Sequence, residues 1–271
     1  MNCFKAAVFD LDDTLLHDDL SLSDYTIKIF HRLTDSGFHL IPASGRSQMS
    51  MKPFLSKFHH ISIYISCNGA EIWDGTTDLL LHQETFSKEI GKEIAEFGKE
   101  HHVYAQTYHG DKFYFNEHSV YAEQYSSASM LTGEYVGDLS EFINEPRSKI
   151  LMMADEKKIA LMLNEAQERF KNRVSVTSSK PHFLEFNPLN ATKGIALSIA
   201  ARRLDISPNE MIAFGDSLND MSMLKKAGRS VAVSNARAIV KESCDEVCGS
   251  NELDGVAHYL EDRILNKGGI F

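Results

Sequence analysis

The chain has 271 residues, enough for one large α/β domain or two unequal ones. Its 43% hydrophobic and 24% charged residues exclude a disordered, fibrous or disulfide-dominated protein. A formal net charge of -10 argues against a nucleic-acid backbone or an anionic membrane surface as partner, since such a field attracts neither.

In chain order, the first element is the apolar run KAAVFD, expected as a strand buried on both faces of a parallel sheet and carrying Asp10 at its carboxyl end. The run meets Asp10 before any secretory apolar stretch is complete, so it reads as mature sequence. No window approaches the ~18–20 apolar residues needed to cross a bilayer, and a cytoplasmic location is expected. A helix follows, with Ser21 or Ser23 as N-cap, Ile27, Phe30 and Leu33 on one face and Gly37 as its stop. FHLI returns as a second strand and ends in PASGR, and this β-loop-α alternation predicts right-handed parallel crossovers in a doubly wound sheet.

From about residue 82 to 186 the texture changes to helices and hairpin-like strands, expected as an inserted α+β domain, with residues 1–81 and 187–271 forming the core. Ile90, Ile94 and Phe97 make one helical stripe there, and Ile159, Leu163, Ala166 and Phe170 make another. Tyr104 to Phe115 reads as two strands around a His109-Gly110-Asp111 turn. The core pattern then resumes: Lys193 opens a helix running through Ile195, Ile199 and Leu204, Met211 to Phe214 forms a strand ending at GDSLND, and SVAVS forms another. Cys3, Cys67, Cys244 and Cys248 lack CxxC or disulfide-framework spacing and read as free thiols. The adjacent pairs His59-His60 and His101-His102 lack the spacing that sets two rings on one helix face, and are expected to be solvated or core histidines.

Open α/β sheets bind ligands beyond the carboxyl ends of their strands. Polar clusters fall at those ends here. DLDDT places Asp10, Asp12 and Thr14 directly after the first strand, with the two carboxylates able to face one cleft. Ser44-Gly45-Arg46 offers a hydroxyl and an approachable backbone N–H to an anion. Lys193 adds a cation and helix N-terminal donors. GDSLND puts Asp216 and Asp220 four apart with Asn219 between them, a supply of hard oxygen ligands suited to magnesium.

DLDDT, ASGR, TKG and GDSLNDMSML resemble, in order, the four motifs of the haloacid dehalogenase superfamily. SCNGAEIWD, NPLNATKGIAL, GDSLNDMSML and NELDGVAHYL resemble its Cof-type sugar-phosphate phosphatases more narrowly. The resemblance covers nearly the whole chain, with the 82–186 segment similar mainly in length and position. It implies a Rossmann-like core with an inserted cap, and a magnesium-dependent phosphatase that hydrolyses small phosphorylated metabolites through an aspartyl-phosphate. Asp10 would be nucleophile and metal ligand. Asp12 would be the acid-base and lend a backbone carbonyl to magnesium, and Asp216 would complete the metal site. The Leu11 backbone, Ser44, Gly45, Lys193 and Asn219 would hold the phosphoryl oxygens. Asp220 would orient the shell around the metal or Lys193, with Thr14 in a supporting place. Ser44 stands where threonine is commoner, keeping the hydroxyl.

A mutase or phosphotransferase passing the same intermediate to a sugar hydroxyl is the nearest alternative. A phospho-receiver module is a further one, and a general acid two residues after the nucleophile argues against it. Arg46, Asn68 and Glu185 are candidate substrate contacts. The inserted segment is expected to act as a lid that sets selectivity. The substrate and the oligomeric state are not written in the sequence.

Overall fold

The structure is a computed structural model that describes residues 4–266. Cys3 lies outside the described residues; among the described residues Cys67, Cys244 and Cys248 form no disulfide. The chain divides into two compact units, one of Met1–Gly45, Met51–His82 and Thr192–Phe271, the other of Arg46–Ser50 and Gln83–Ala191.

The first unit is built on a five-stranded parallel sheet in the order Glu246–Val247, Arg229–Ala232, Met211–Gly215, Ala6–Phe9, His39–Pro42. Ala6, Ala7, Val8 and Phe9 are all fully buried, as a strand at the centre of a parallel sheet requires. Its neighbours come from opposite halves of the sequence, so the strand order reverses on either side of it. That reversal opens a crevice at the strand's carboxyl end, where Asp10 sits. An isolated parallel bridge from Ala43 to Ile65 ties in Ile63–Ser66, the first strand of a three-stranded sheet completed by Glu71–Asp74 and Leu80–Gln83.

Local chemistry fixes the flanking helices. Helix Asp24–Asp35 starts because the Ser23 hydroxyl accepts the Thr26 N–H at 2.9 Å, and it buries Thr26, Ile29, Phe30 and Leu33. Its chain leaves through Gly37, whose φ of +84° is costly for a residue with a Cβ. The Phe30 and Phe9 rings meet at 5.2 Å, and burying each such side chain is worth about 1.5–3 kcal/mol. Helix Lys193–Arg203 is capped by Thr192 and buries Lys193, Gly194, Ala196, Leu197, Ala200 and Ala201. Ile195, in its first turn, is 42% exposed. The buried face is phased from Lys193 at intervals of three and four, which carries Ile195 round to the outside.

The second unit is a six-stranded sheet in the order Val174–Thr177, Phe183–Pro188, Ile150–Met153, Tyr104–His109, Lys112–Phe115, Thr132–Tyr135. All its pairs are antiparallel except the last, which is parallel. Helices Lys88–Glu100 and Glu156–Arg169 contribute Ile94, Phe97, Ile159, Met162 and Ala166 to one apolar cluster with Ile150, Met152, Leu184 and Phe186. Residues of alternate parity, among them Tyr104, Leu151 and Met153, join a separate cluster with Phe113 and Phe115. Among the described residues no helix is long and apolar enough to cross a membrane.

Candidate active site

Asp10 follows the central strand, its N–H donating to the Phe214 carbonyl at 3.2 Å, and is 6% exposed. The Lys193 ammonium, 0% exposed, lies 2.9 Å from Asp10 Oδ1 and 2.6 Å from Asp220 Oδ1. Such a buried cation is tolerable only between carboxylates. The other Asp220 oxygen accepts the Asp216 and Ser217 backbone N–H groups, each at 3.0 Å. Both oxygens of Asp220 are thereby engaged. Gly215 is required beside it, since a Cβ there would stand 2.5 Å from the Asp220 Cβ. Thr14, fully buried, donates its hydroxyl to Asp216 Oδ1 at 2.8 Å.

Carboxylate oxygens of Asp10, Asp216 and Asp220 lie within 4.8 Å of one another, the one group of metal-ligand type found among the described residues. Three carboxylates face one ammonium. Burial pushes the Asp10 carboxyl well above its usual range; Lys193 opposes the shift, while Asp220, Asp216 and Asp12 add to it. Burial, then Asp220, pushes Asp216 up to about 7 against the Thr14 hydrogen bond. Lys193 loses to burial, yet Asp10 and Asp220 outweigh that and hold it above its ordinary value. With all three carboxylates ionised the cluster would carry negative charge in excess of its single cation, and the raised Asp10 and Asp216 carboxyls hold protons in response. Clustered hard oxygens with that excess suit a divalent cation such as magnesium, and Asp10 and Asp216, whose carboxylates are not both spent on internal partners, are the residues that fit it.

Hydrogen bonds through Asn68 tie the Ser44 loop to the GDSLND turn. Ser44, 1% exposed, donates its N–H to Ile65 O and accepts the Asn68 N–H. Asn68 follows strand Ile63–Ser66 in the left-handed region, at φ 58° and ψ 22°, which asparagine tolerates better than most residues. Its Oδ1 accepts from Asn219 Nδ2 at 3.0 Å, and the Ser217 hydroxyl donates to Asn219 Oδ1 at 2.5 Å. Asn68 Nδ2 is buried with no hydrogen-bond partner. Gly45 lies against this amide, where a Cβ would stand 3.0 Å from Asn68 Oδ1. Gly69 has φ +104°, and a Cβ on it would meet the Thr192 carbonyl at 2.5 Å, so the loop packs on the residue that caps the Lys193 helix. Leu11 buries its side chain and turns its N–H to Asp10 Oδ1 at 2.8 Å. Asp12 is half-buried beside this network.

Two sequence candidates lie in the second unit. The Arg46 guanidinium donates to Ala128 O at 2.9 Å and to Ser50 Oγ at 3.0 Å. Glu185, 2% exposed, sits within strand Phe183–Pro188 and pairs with buried Lys149. Sequence reasoning missed Lys149 and Ser217. Ser217 lies inside GDSLND and could have been found there, while nothing in SKILMMA marks Lys149.

A parallel sheet with a lysine-bridged aspartate at its switch point, and an acidic loop on the adjoining strand, is an arrangement suited to phosphoryl chemistry on an α/β fold. Residues 7–260 match the family of haloacid dehalogenase-like hydrolases, and the chain belongs to that family as an enzyme of the phosphatase class. It is 28% identical over 263 residues to a 5-amino-6-(5-phospho-D-ribitylamino)uracil phosphatase of Bacillus subtilis, covering 96% of each chain. It is 26% identical to an HMP-PP phosphatase of Yersinia pseudotuberculosis, over 95% of this chain and 94% of that one. Among solved structures, a Thermotoga maritima protein is 31% identical with a TM-score of 0.83, covering 96% of this chain and 97% of its own. A haloacid dehalogenase-like hydrolase from Bacteroides thetaiotaomicron is 27% identical with a TM-score of 0.87, covering 96% and 99%.

Proposed function

We propose that the protein hydrolyses small phosphorylated metabolites, sugar phosphates or related monoesters, through an aspartyl-phosphate on Asp10. The observation that carries this reading is the fully buried Lys193 bridging Asp10 and Asp220 inside a cluster of carboxylates. An ammonium so placed lowers the repulsion between an attacking carboxylate and a phosphate dianion.

An Asp10 carboxylate oxygen attacks phosphorus in line, and the bond from phosphorus to the organic oxygen breaks. Asp12, half-buried and two residues on, gives its proton to that departing oxygen. A water then attacks phosphorus of the acyl phosphate, Asp12 takes its proton, and the Asp10 carboxylate and inorganic phosphate are released. Ser44, the Gly45 backbone, Lys193 and Asn219 hold the phosphoryl oxygens, and the unpartnered Asn68 Nδ2 supplies a further donor. The Leu11 N–H joins them as Asp10 gives up its own hold on that group. Asp10, Asp216 and the Asp12 backbone carbonyl would hold Mg2+, which supplies charge neutralisation at the transferring phosphoryl group. Asp220 spends both oxygens on Lys193 and backbone N–H groups, and so acts as a positioning residue. Selectivity for the organic group is assigned to the inserted unit. Phosphate release from a panel of phosphate monoesters tests the reading: the wild-type chain turns over several of them, and Asp10→Asn, which keeps side-chain volume, turns over none. Turnover by Asp10→Asn close to wild type would defeat the mechanism.

A further inference from the structure

Strand Arg229–Ala232 ends in no acidic motif, yet the loop that follows it, residues 233–237, touches both acidic loops of the first unit. The Arg237 N–H donates to the Asp216 carbonyl at 3.0 Å, and the Val233 N–H to the Gly215 carbonyl at 3.3 Å. The Asn235 side chain reaches the DLDDT loop, where its Nδ2 donates to the Asp13 carbonyl at 2.7 Å. Its Oδ1 accepts the Asn251 N–H at 3.2 Å. One partner can only donate and the other only accept, so together they fix which way the amide faces. Asn251, 2% exposed, opens the NELDGVA run and donates its own amide to the Leu16 carbonyl and to Asp18 Oδ1, each at 3.0 Å. Glu252 accepts the Asp18 N–H at 2.7 Å. The chain that leaves the DLDDT turn is thereby braced by a motif that supplies no group to the reaction. Asp13 is where the turn most needs a tether. Its φ of +57° lies in the left-handed region, which costs energy for any residue with a Cβ, though aspartate tolerates it better than most.

We infer that Asn235 is a positioning residue for the acid-base Asp12: by holding the Asp13 carbonyl in its left-handed turn, it sets the direction in which the neighbouring Asp12 carboxyl points. The inference rests on the phosphatase reading and adds to it a residue that touches no reacting atom. Asp10 does not need this tether, because the central strand carries it and the Lys193 ammonium holds its carboxylate at 2.9 Å. Asp12 stands on the turn itself, so the angle at which it meets the departing oxygen follows the backbone at residues 12 and 13. Proton transfer requires that oxygen within hydrogen-bond reach, and a misplacement of about 1 Å can cost on the order of 100-fold in rate. A plain staple for folding is the competing role. Asn235 is exposed, however, and an exposed amide bridging two backbone groups adds little to stability. Loss of the amide is therefore expected to fall on proton transfer to the leaving group and to spare the attack by Asp10.

The test follows kcat/KM, which reports the steps up to phosphorylation of Asp10, in the full chain with magnesium. The substrates are para-nitrophenyl phosphate and the alkyl phosphate that the wild-type chain turns over fastest. Asn235→Ala is expected to lower the alkyl value about tenfold or more and the para-nitrophenyl value by less than about threefold, since only the alkyl oxygen needs a proton as it departs. Asn235→Leu, which keeps a branched side chain without donor or acceptor, is expected to do the same. A double-mutant cycle on phenyl phosphate, which profits from the acid yet turns over without it, separates aiming from folding. With Asp12→Asn there is no acid left to aim, and adding Asn235→Ala is expected to change the rate by less than about twofold. Equal losses on the two esters, no loss on either, or a full further loss in the double variant overturns the inference and leaves the phosphatase reading standing. A wild-type chain that hydrolyses none of these esters would instead sink the phosphatase reading, and the role of Asn235 with it.

Discussion

Replacing Lys193 by Met removes the single cation from a cluster of three carboxylates, two of them buried, while nearly keeping the side chain's length. In the native protein the ammonium touches Asp10 and Asp220 and is wholly shielded from water. Removing one partner from a buried ion pair costs about 3–5 kcal/mol, because the remaining charge stays buried without compensation. At ~2–4 °C of melting midpoint per kcal/mol for a chain near this size, the midpoint falls by roughly 6–20 °C in metal-free buffer. The deficit depends on pH in a definite direction. Asp10 and Asp216 have their carboxyls raised by burial, Asp216 to about 7, and loss of Lys193 removes an influence that lowers both. An acid whose folded pKa is raised binds more protons folded than unfolded, so stability falls as pH rises from the ordinary carboxylate range through the folded pKa. Thermal melts in chelator at pH 5 and pH 8 should therefore show the smaller loss at pH 5. A Lys193→Met midpoint within about 2 °C of wild type at pH 8 would show that Lys193 does not hold this cluster together.

Asp12→Asn should lose much more activity on alkyl phosphates than on para-nitrophenyl phosphate, whose leaving oxygen needs little protonation, and equal loss on both would remove Asp12 as the acid. Magnesium at about 100 times its dissociation constant should stabilise the wild-type chain by about 2.7 kcal/mol, seen as a raised melting midpoint. Asp216→Asn should lose most of that shift, and an undiminished shift would place the ion elsewhere.

The core was legible in the sequence because its signals are local. AAVF, a short apolar run ended by acidic residues, suits a buried strand, and Ser23 supplies the N-cap oxygen that starts the next helix. The DLDDT and GDSLND loops follow such strands directly, so their carboxylates were anticipated at one strand-end crevice. The partners within the crevice were less legible. That Asp220 spends one oxygen on Lys193 and the other on two backbone N–H groups depends on the turn through Ser217 and on the close approach that Gly215 permits. The helix opened by Lys193 was legible, but not its buried face, which is phased by a lysine that hydropathy sends outward and leaves Ile195 exposed. In the inserted unit, Lys149, just before strand Ile150–Met153, and Glu185 are 36 positions apart in sequence, a pairing that the sheet register produces.

The central claim is a covalent bond between Asp10 and phosphorus. Wild-type protein mixed with a phosphate monoester and magnesium, quenched within the first turnover and treated with borohydride, converts an acyl phosphate to the reduced alcohol side chain, which peptide mass spectrometry places in the sequence. The account predicts reduction at Asp10 and not at Asp12, Asp216 or Asp220, and its absence from Asp12→Asn when substrate is withheld. Rapid phosphate release with Asp10 unreduced at every quench time, or reduction at another aspartate, would contradict it.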